Sequence, residues 1–511
     1  MLARMRPRAL LAVTLAVGLL AACGTVDQGV SATVSRQTSQ ADAVAGDDGT
    51  LIDEDPTQNG GPAPTDSVPI EYPIIDGVVD FGDNKPPQEY DGYMTAVFGD
   101  IQAWWETTYP QLYGTPYVPL EGGVFAGYES RTSPIPGCGT PESTYEDVLQ
   151  SGAFYCGLGD FMAYDDSSLL PSLVEQLGEA AVGVVMAHEF GHAIQARADN
   201  FGNTSILLEQ QADCFAGAWS AHVARGESDI IRFSDADVRG GLIAMVTVRD
   251  PVGNGNDGEQ AHGSGFDRIG AFQDGFVGGP ERCVPFFEED REAKLIAIPF
   301  TSDDFETGGN LPLAEVSEQI PADLGAFWTS LLTNSSFAAP TITGYPEAGP
   351  YPACDGVDES AFVENVFYCA STNSILFDQD YAQQLYSAPL LVETPLGDMS
   401  LGYLLATAYS DAVQVALGSQ LADEPRSLLN NCLTGVWVAD IVPPIPDDRF
   451  TATGRDLQLS AGDLDEAIIT AMLRSDNASD ANVRGSAFEQ IDAFRSGVLG
   501  GMDACSGLLG G

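Results

Sequence analysis

Hydrophobic and polar positions divide the 511 residues into stretches of different character. An apolar run from Ala9 to Ala22 follows Arg4, Arg6 and Arg8, the order of a signal peptide. It is shorter than the ~20 residues that a membrane-spanning helix needs, and no other stretch is long and apolar enough to span a bilayer. From Gly24 to about Pro87 the chain is mostly Ser, Thr, Asp, Gly, Gln and Pro, too polar to order itself, and reads as a flexible spacer. Near its end, residues 70–81 hold Tyr72, Ile74, Ile75 and Val78, enough to pack as a short arm. From about Gly92 apolar residues return with helical period, and Phe98, Ile101, Trp104 and Trp105 read as one core-facing stripe. Cys138 and Cys156 bracket a polar loop, and Phe161-Met162-Ala163-Tyr164-Asp165 reads as a short strand. Two helices follow. One runs from about Glu179 to Ala198 and is apolar almost throughout; the other places Leu208, Ala212, Phe215 and Trp219 toward a core. The expected class is α+β, mainly helical with a small sheet.

The length allows two or three domains with substantial cores. A net charge of −53, from 74 acidic and 21 basic residues, repels nucleic acid and anionic membrane surfaces, so neither is an expected direct partner. The apolar run ends Leu20-Ala21-Ala22-Cys23, which resembles the bacterial lipobox, where the cysteine is lipidated and becomes the first mature residue. That predicts a signal peptide over 1–22 and an exported chain lipid-anchored through Cys23 to the outer face of the bacterial cytoplasmic membrane. Eight cysteines remain, an even number that favours four disulfides in an exported protein.

Chemistry concentrates in the first of the two helices. His188-Glu189-Phe190-Gly191-His192 places two imidazoles one turn apart on one face, where both can hold a single zinc ion. Glu189, beside the first ligand, is placed to take a proton from an attacking water. On the second helix Glu209 and Asp213 share a face one turn apart. Glu209 suits the third ligand and Asp213 the acceptor for the free ring N–H of a ligand histidine, with Asp213 as the alternative ligand. Further on, His262 is the candidate donor to the oxyanion formed when water attacks a carbonyl.

These blocks together, with Phe154-Tyr155-Cys156 before them and His262-Gly-Ser, Arg268 and Cys283 after, resemble the bacterial family of putative neutral zinc metallopeptidases. The resemblance covers roughly residues 92 to 290. It implies a zincin-like domain with a gluzincin-like site: His188, His192 and Glu209 on zinc, and Glu189 as general base. It supplies a reaction class and no particular substrate. In zinc peptidases of this general layout an edge strand beside the metal binds substrate backbone, a role expected here of residues 161–165.

Residues 291–511 repeat the same blocks. Val366-Phe-Tyr-Cys369 lies over Ala153–Cys156, residues 406–414 over 187–195, Cys432-Leu-Thr-Gly-Val-Trp437 over Cys214–Trp219, and residues 484–505 over 262–283 without a gap. Glycines and core aromatics agree, while each proposed chemical residue differs: Thr407, Ala408, Asp411, Ser427, Asn431 and Arg484 face His188, Glu189, His192, Glu209, Asp213 and His262. The comparison predicts Cys138–Cys156 and Cys354–Cys369 as short loops and Cys214–Cys283 and Cys432–Cys505 as longer ones. A loop near 18 residues is worth about 3 kcal/mol in the chain-entropy account.

The expected organisation is therefore a signal peptide (1–22), a linker (23–90), a zinc metallopeptidase-like domain (91–290) and a degenerate repeat without metal ligands (291–511). The expected function is hydrolysis of protein or peptide substrates by zinc-activated water. The rivals are a lipid-anchored binding or scaffold protein with structural or vestigial zinc, and an amidase or other hydrolase using the same constellation.

Overall fold

The computed structural model describes residues 72–509, except 249–262, 289–290, 293–294, 297, 299, 303, 334, 388–395, 445–449, 451–454 and 475–485. Cys23 and His262, the candidate lipidation site and oxyanion donor, lie outside the described residues.

In the first half, α1 (Asp91–Tyr113) leads to β1 (Gly123–Gly127), a small hairpin of β2 (Ile135–Pro136) and β3 (Glu142–Ser143), α2 (Tyr145–Ser151), β4 (Ala153–Cys156) and β5 (Phe161–Asp165). Five helices follow: α3 (Leu169–Leu177), α4 (Glu179–Arg197), α5 (Ser205–Ala224), α6 (Asp235–Thr247) and α7 (Gly265–Gly278). This is the helix-dominated α+β arrangement expected from the hydrophobic periodicity. Among the described residues no helix is long and apolar enough to cross a membrane.

Several details differ from the sequence reading. β3, α2 and β4 occupy the stretch between Cys138 and Cys156 that reads as a polar loop, with β2 just before it. Residues 72–90, assigned by composition to the linker, include a part that packs on the domain. Val79 is buried, Asp80 bridges to Phe125, and Lys85 pairs with Asp91 at 2.7 Å and Asp166 at 2.5 Å. The few apolar side chains and one well-placed lysine outweigh the polar average. The strand at Phe161–Asp165 is not an edge. β5 lies between β1, its parallel partner, and β4, its antiparallel one, so the edges are β1, which Asp80 covers in part, and β4. Burial of all five β5 residues agrees with a strand flanked on both sides.

In the second half come α8 (Asp304–Thr307), α9 (Leu313–Leu331), β6 (Thr341–Tyr345), β7 (Val366–Cys369), β8 (Ser374–Asp378), α10 (Gln379–Ser387), α11 (Asp398–Leu417), α12 (Asp423–Ile441), α13 (Asp463–Arg474) and α14 (Ala487–Leu509). Its sheet has the same plan: β8 pairs in parallel with β6 and antiparallel with β7. Details recur too. The Trp219 indole donates to Asp100 of α1 and the Trp437 indole to Asp323 of α9, each at 2.8 Å. Asp165 accepts backbone N–H groups at the start of α3, as Asp378 does at the start of α10. Four disulfides join Cys138–Cys156, Cys214–Cys283, Cys354–Cys369 and Cys432–Cys505.

The halves meet through α7 and α14. Gln273 of α7 donates to the Phe488 carbonyl at 3.2 Å, and Arg495 of α14 donates to the Phe266 carbonyl. By the alignment of residues 262–283 with 484–505, Gln273 corresponds to Arg495 and Phe266 to Phe488. The contact is therefore reciprocal, as at a two-fold interface. Asp465 of α13 adds a hydrogen bond from the Phe266 N–H at 2.8 Å.

Candidate metal centre

The site is built where α4 crosses α5. α4 is buried on every side from Ala180 to Gln195, which is why its sequence is apolar almost throughout rather than striped. Gly191 permits the close crossing: a Cβ there would come within 2.9 Å of the Ala212 Cα. The crossing brings the imidazoles of α4 to the carboxylates of α5, and Cys214–Cys283 ties α5 to the segment after α7.

His188 Nε2 lies 3.2 Å from one Glu209 oxygen and His192 Nε2 lies 3.3 Å from the other. Ligand atoms of the three residues all fall within 4.8 Å of one another, and all three side chains are buried. Two neutral-capable imidazoles and a carboxylate are the donor set of a catalytic zinc site that keeps an open position. Two ligands of a tetrahedral ion with bonds near 2.0 Å stand about 3.3 Å apart, so the residues present fit zinc.

The outer ring nitrogens are also held. His188 Nδ1 is 2.7 Å from Asp213 Oδ1, and His192 Nδ1 is 2.8 Å from Gln195 Oε1. Gln195 in turn donates to the Leu208 carbonyl at 2.6 Å. Such partners fix the ring orientation and leave Nε2 of each ring for a metal. Asp213 is gripped by Arg268 of α7, whose Nε and Nη2 donate to its two oxygens at 2.9 and 2.8 Å, while Nη1 donates to the Val248 carbonyl at 2.7 Å. Asp213 and Arg268 are fully buried. Burial works against the Asp213 carboxylate, but Arg268 and His188 outweigh it and hold Asp213 below its ordinary range. Burial likewise lowers His188, yet Asp213 and Glu209 overcome it and push this histidine up to about 10 in the metal-free chain.

Glu189 points from the same turn toward the sheet, where its Oε2 accepts the Tyr155 N–H at 3.1 Å. Tyr155 lies on β4, so the edge strand itself aims at the general-base candidate. Sequence reasoning singled out His188, Glu189, His192, Glu209 and Asp213; the structure brings His188, His192, Glu209 and Asp213 together and turns Glu189, next to His188 in the chain, toward β4. It missed Gln195, although the spacing of three from His192 on one helix was a usable signal. The contact of Arg268 with Asp213 spans 55 positions and had no local signal.

At the corresponding place in the second half, a cavity of about 240 Å³ is lined by Thr407, Ala408, Asp411, Ser427 and Asn431. There Asp411 accepts from Arg426 Nε at 2.8 Å and Asn430 Nδ2 at 2.9 Å. Gln414, the counterpart of Gln195, still donates to a backbone carbonyl, that of Arg426, at 2.8 Å. Among the described residues no metal-ligating group assembles at this place.

Uncharacterized proteins of Mycobacterium tuberculosis and Mycobacterium bovis are 29% identical over 224 residues, covering 39% of this chain and 71% of each relative. The uncharacterized protein YpfJ of Escherichia coli is 29% identical over 179 residues, 29% of this chain and 57% of the relative. No solved structure matches. Residues 83–286, which carry every side chain of the centre described above, match the family described as putative neutral zinc metallopeptidase.

Proposed function

We propose that the chain is a zinc-dependent peptidase of the cell envelope, with one working site in its first half. The observation that carries the reading is the buried His188–His192–Glu209 donor set with Glu189 beside it. A zinc ion held by those three residues would supply a Lewis acid for a peptide carbonyl and lower the pKa of a water molecule. Glu189 accepts the proton of the attacking water and passes it to the leaving amine. The Tyr155 N–H orients the Glu189 carboxylate, Asp213 and Gln195 orient the two imidazoles, and β4 offers an edge along which substrate backbone can lie. His262 is assigned to the oxyanion.

Lipidated Cys23 tethers the enzyme outside the cytoplasmic membrane, with the segment after it as spacer. The second half is a degenerate duplicate, a reading supported by the repeated strand plan, the paired Trp–Asp bonds and the matching disulfides. Its work is to brace α7, the helix that carries Arg268.

The test is zinc content and peptide-library cleavage for the mature chain, His188→Ala and Glu189→Gln. One zinc per chain, abolished by His188→Ala, and turnover lost in a Glu189→Gln chain that keeps its zinc, are the expected results. Retained turnover in zinc-loaded Glu189→Gln would remove the general-base assignment. Zinc without cleavage by the parent chain would favour the scaffold reading.

A further inference from the structure

A second group of carboxylates lies far from the zinc donors in sequence, on elements of the second half alone. Asp398 opens α11, and Asp463 and Glu466 lie in the first turn of α13; one carboxylate oxygen from each falls within 4.8 Å of the others. Asp398 and Asp463 are 4% and 5% exposed, too little for water to neutralise their mutual repulsion. Each carboxylate turns one oxygen to the backbone: Asp398 Oδ2 accepts the Leu311 N–H, Asp463 Oδ2 the Ser460 N–H and Glu466 Oε2 the Met399 N–H, each at 2.8 Å. Those bonds fix the rotamers and aim the remaining oxygens at one another. Asp463 Oδ1 has only a long bond from the Ser460 hydroxyl, at 3.3 Å. Asp398 Oδ1 is buried and receives no N–H or hydroxyl; the group within hydrogen-bonding reach of the Asp398 carboxyl is the Glu466 carboxyl.

Two further observations point to a ligand between them. A Cβ on Gly397 would come within 2.0 Å of Glu466 Oε1 and 2.2 Å of Asn310 Oδ1, so a fourth oxygen, which also accepts the Asp398 N–H at 2.8 Å, stands beside the carboxylates where only glycine leaves room. A cavity of about 230 Å³ adjoins the group, lined by Asn310, Asp398, Ser460 and Asp463. In the first half Glu179 opens α4 as Asp398 opens α11, and Ser234 and Asp237 begin α6 as Ser460 and Asp463 begin α13, but Gly240 stands where α13 has Glu466. The third carboxylate is therefore particular to the second half.

We propose that Asp398, Asp463 and Glu466, with Asn310 beside them, bind a hard divalent cation, calcium. All donors are oxygens, which excludes a soft-metal preference. Calcium takes six to eight such ligands in flexible geometry and accommodates water at the cavity side, whereas magnesium demands a near-ideal octahedron. The ion fastens the starts of α11 and α13 to the segment before α9, and so rigidifies the half that braces α7.

The test uses the full mature chain, with calcium binding followed by equilibrium dialysis and unfolding temperature followed with and without calcium. Binding of one calcium per chain, a rise of unfolding temperature by a few degrees, and loss of both in Asp463→Asn and in Glu466→Gln are expected. His188→Ala should still take up calcium, which separates this site from the zinc centre. No calcium uptake by the parent at millimolar concentration would show that shared protons alone balance the carboxylates, and would overturn the proposal. Equal uptake by parent and both variants would overturn it as well. Should one variant fail to fold, the other decides.

Discussion

Asp213 is the residue at which stability and metal binding are most tightly linked. Its Oδ1 accepts from Arg268 Nη2 at 2.8 Å and faces His188 Nδ1 at 2.7 Å; its Oδ2 accepts from Arg268 Nε at 2.9 Å. Asp213→Asn leaves one oxygen for the Oδ1 position and puts an amide donor against the Arg268 Nε–H. A fully buried guanidinium then loses its counter-charge, a loss that costs about 3–5 kcal/mol where it has been measured in buried pairs. The histidine loses a charged acceptor, and outer partners of this kind are worth about 10–100-fold in metal affinity. Adding Arg268→Met removes the stranded cation, so the double variant should regain at least ~2 kcal/mol over Asp213→Asn alone. Its zinc affinity should stay low, because the charged acceptor is still missing. Urea unfolding of chelator-treated protein reads the first effect, taking the transition that shifts with added zinc as that of the first half. Competition with a chromophoric chelator reads the second. A double variant no more stable than Asp213→Asn, or an Asp213→Asn chain with parental zinc affinity, would refute the argument that one network serves both ends.

Further outcomes follow from the state of His188 and from the helix crossings. Because His188 in the metal-free chain is pushed up to about 10, it carries a proton at neutral pH that zinc must displace. Calorimetry in buffers of different ionisation enthalpy should register about one proton released per zinc, and apparent zinc affinity should rise with pH up to about 10. For the metal-free fold the sign is opposite: the raised histidine contributes stability that is full below its unfolded pKa, near 6.5, and is lost as pH climbs through about 10. Where α7 crosses α5 and α14 crosses α12, a Cβ at Gly275 would meet the Cys214 carbonyl at 1.8 Å, and one at Gly497 the Cys432 carbonyl at 2.0 Å. Gly275→Ala and Gly497→Ala should each destabilise by about 1–3 kcal/mol in thermal melts. An unchanged melting point would mean that the helices separate at little cost.

How much of this was legible depended on the distance over which each feature is encoded. The pairing of His188 with His192 and of Glu209 with Asp213 is a one-turn relation within a helix, so spacing alone placed those groups on common faces. That the faces meet depends on the crossing at Gly191 and Ala212, which the local pattern does not state. The recurrence of glycines such as Gly217 and Gly435 identified the second half, because each lies where the facing helix comes too close for a Cβ. The edge strand was misjudged for a physical reason. β1 is five residues with a glycine at each end, too weak a strand signal to reveal that β5 is flanked on both sides. Arg268 was visible only as part of a block, since its partner sits on another helix. The acidic group at Asp398 joins three segments, and in so acidic a chain its members look like ordinary solvated charges.

The reciprocal contact between α7 and α14 has a consequence for how the molecule answers dilution and change. Two separate chains meeting through such a surface would part at low concentration, whereas here the partner is supplied by the same polypeptide at a high effective concentration. The bracing of α7 is thus independent of how much protein is present. In a symmetric pair a single substitution would strike both copies of a contact; here a change at Gln273 or at Arg495 strikes one and leaves its counterpart in place. The two ends of the interface are free to differ, and they do: an amide donates at one and a guanidinium at the other.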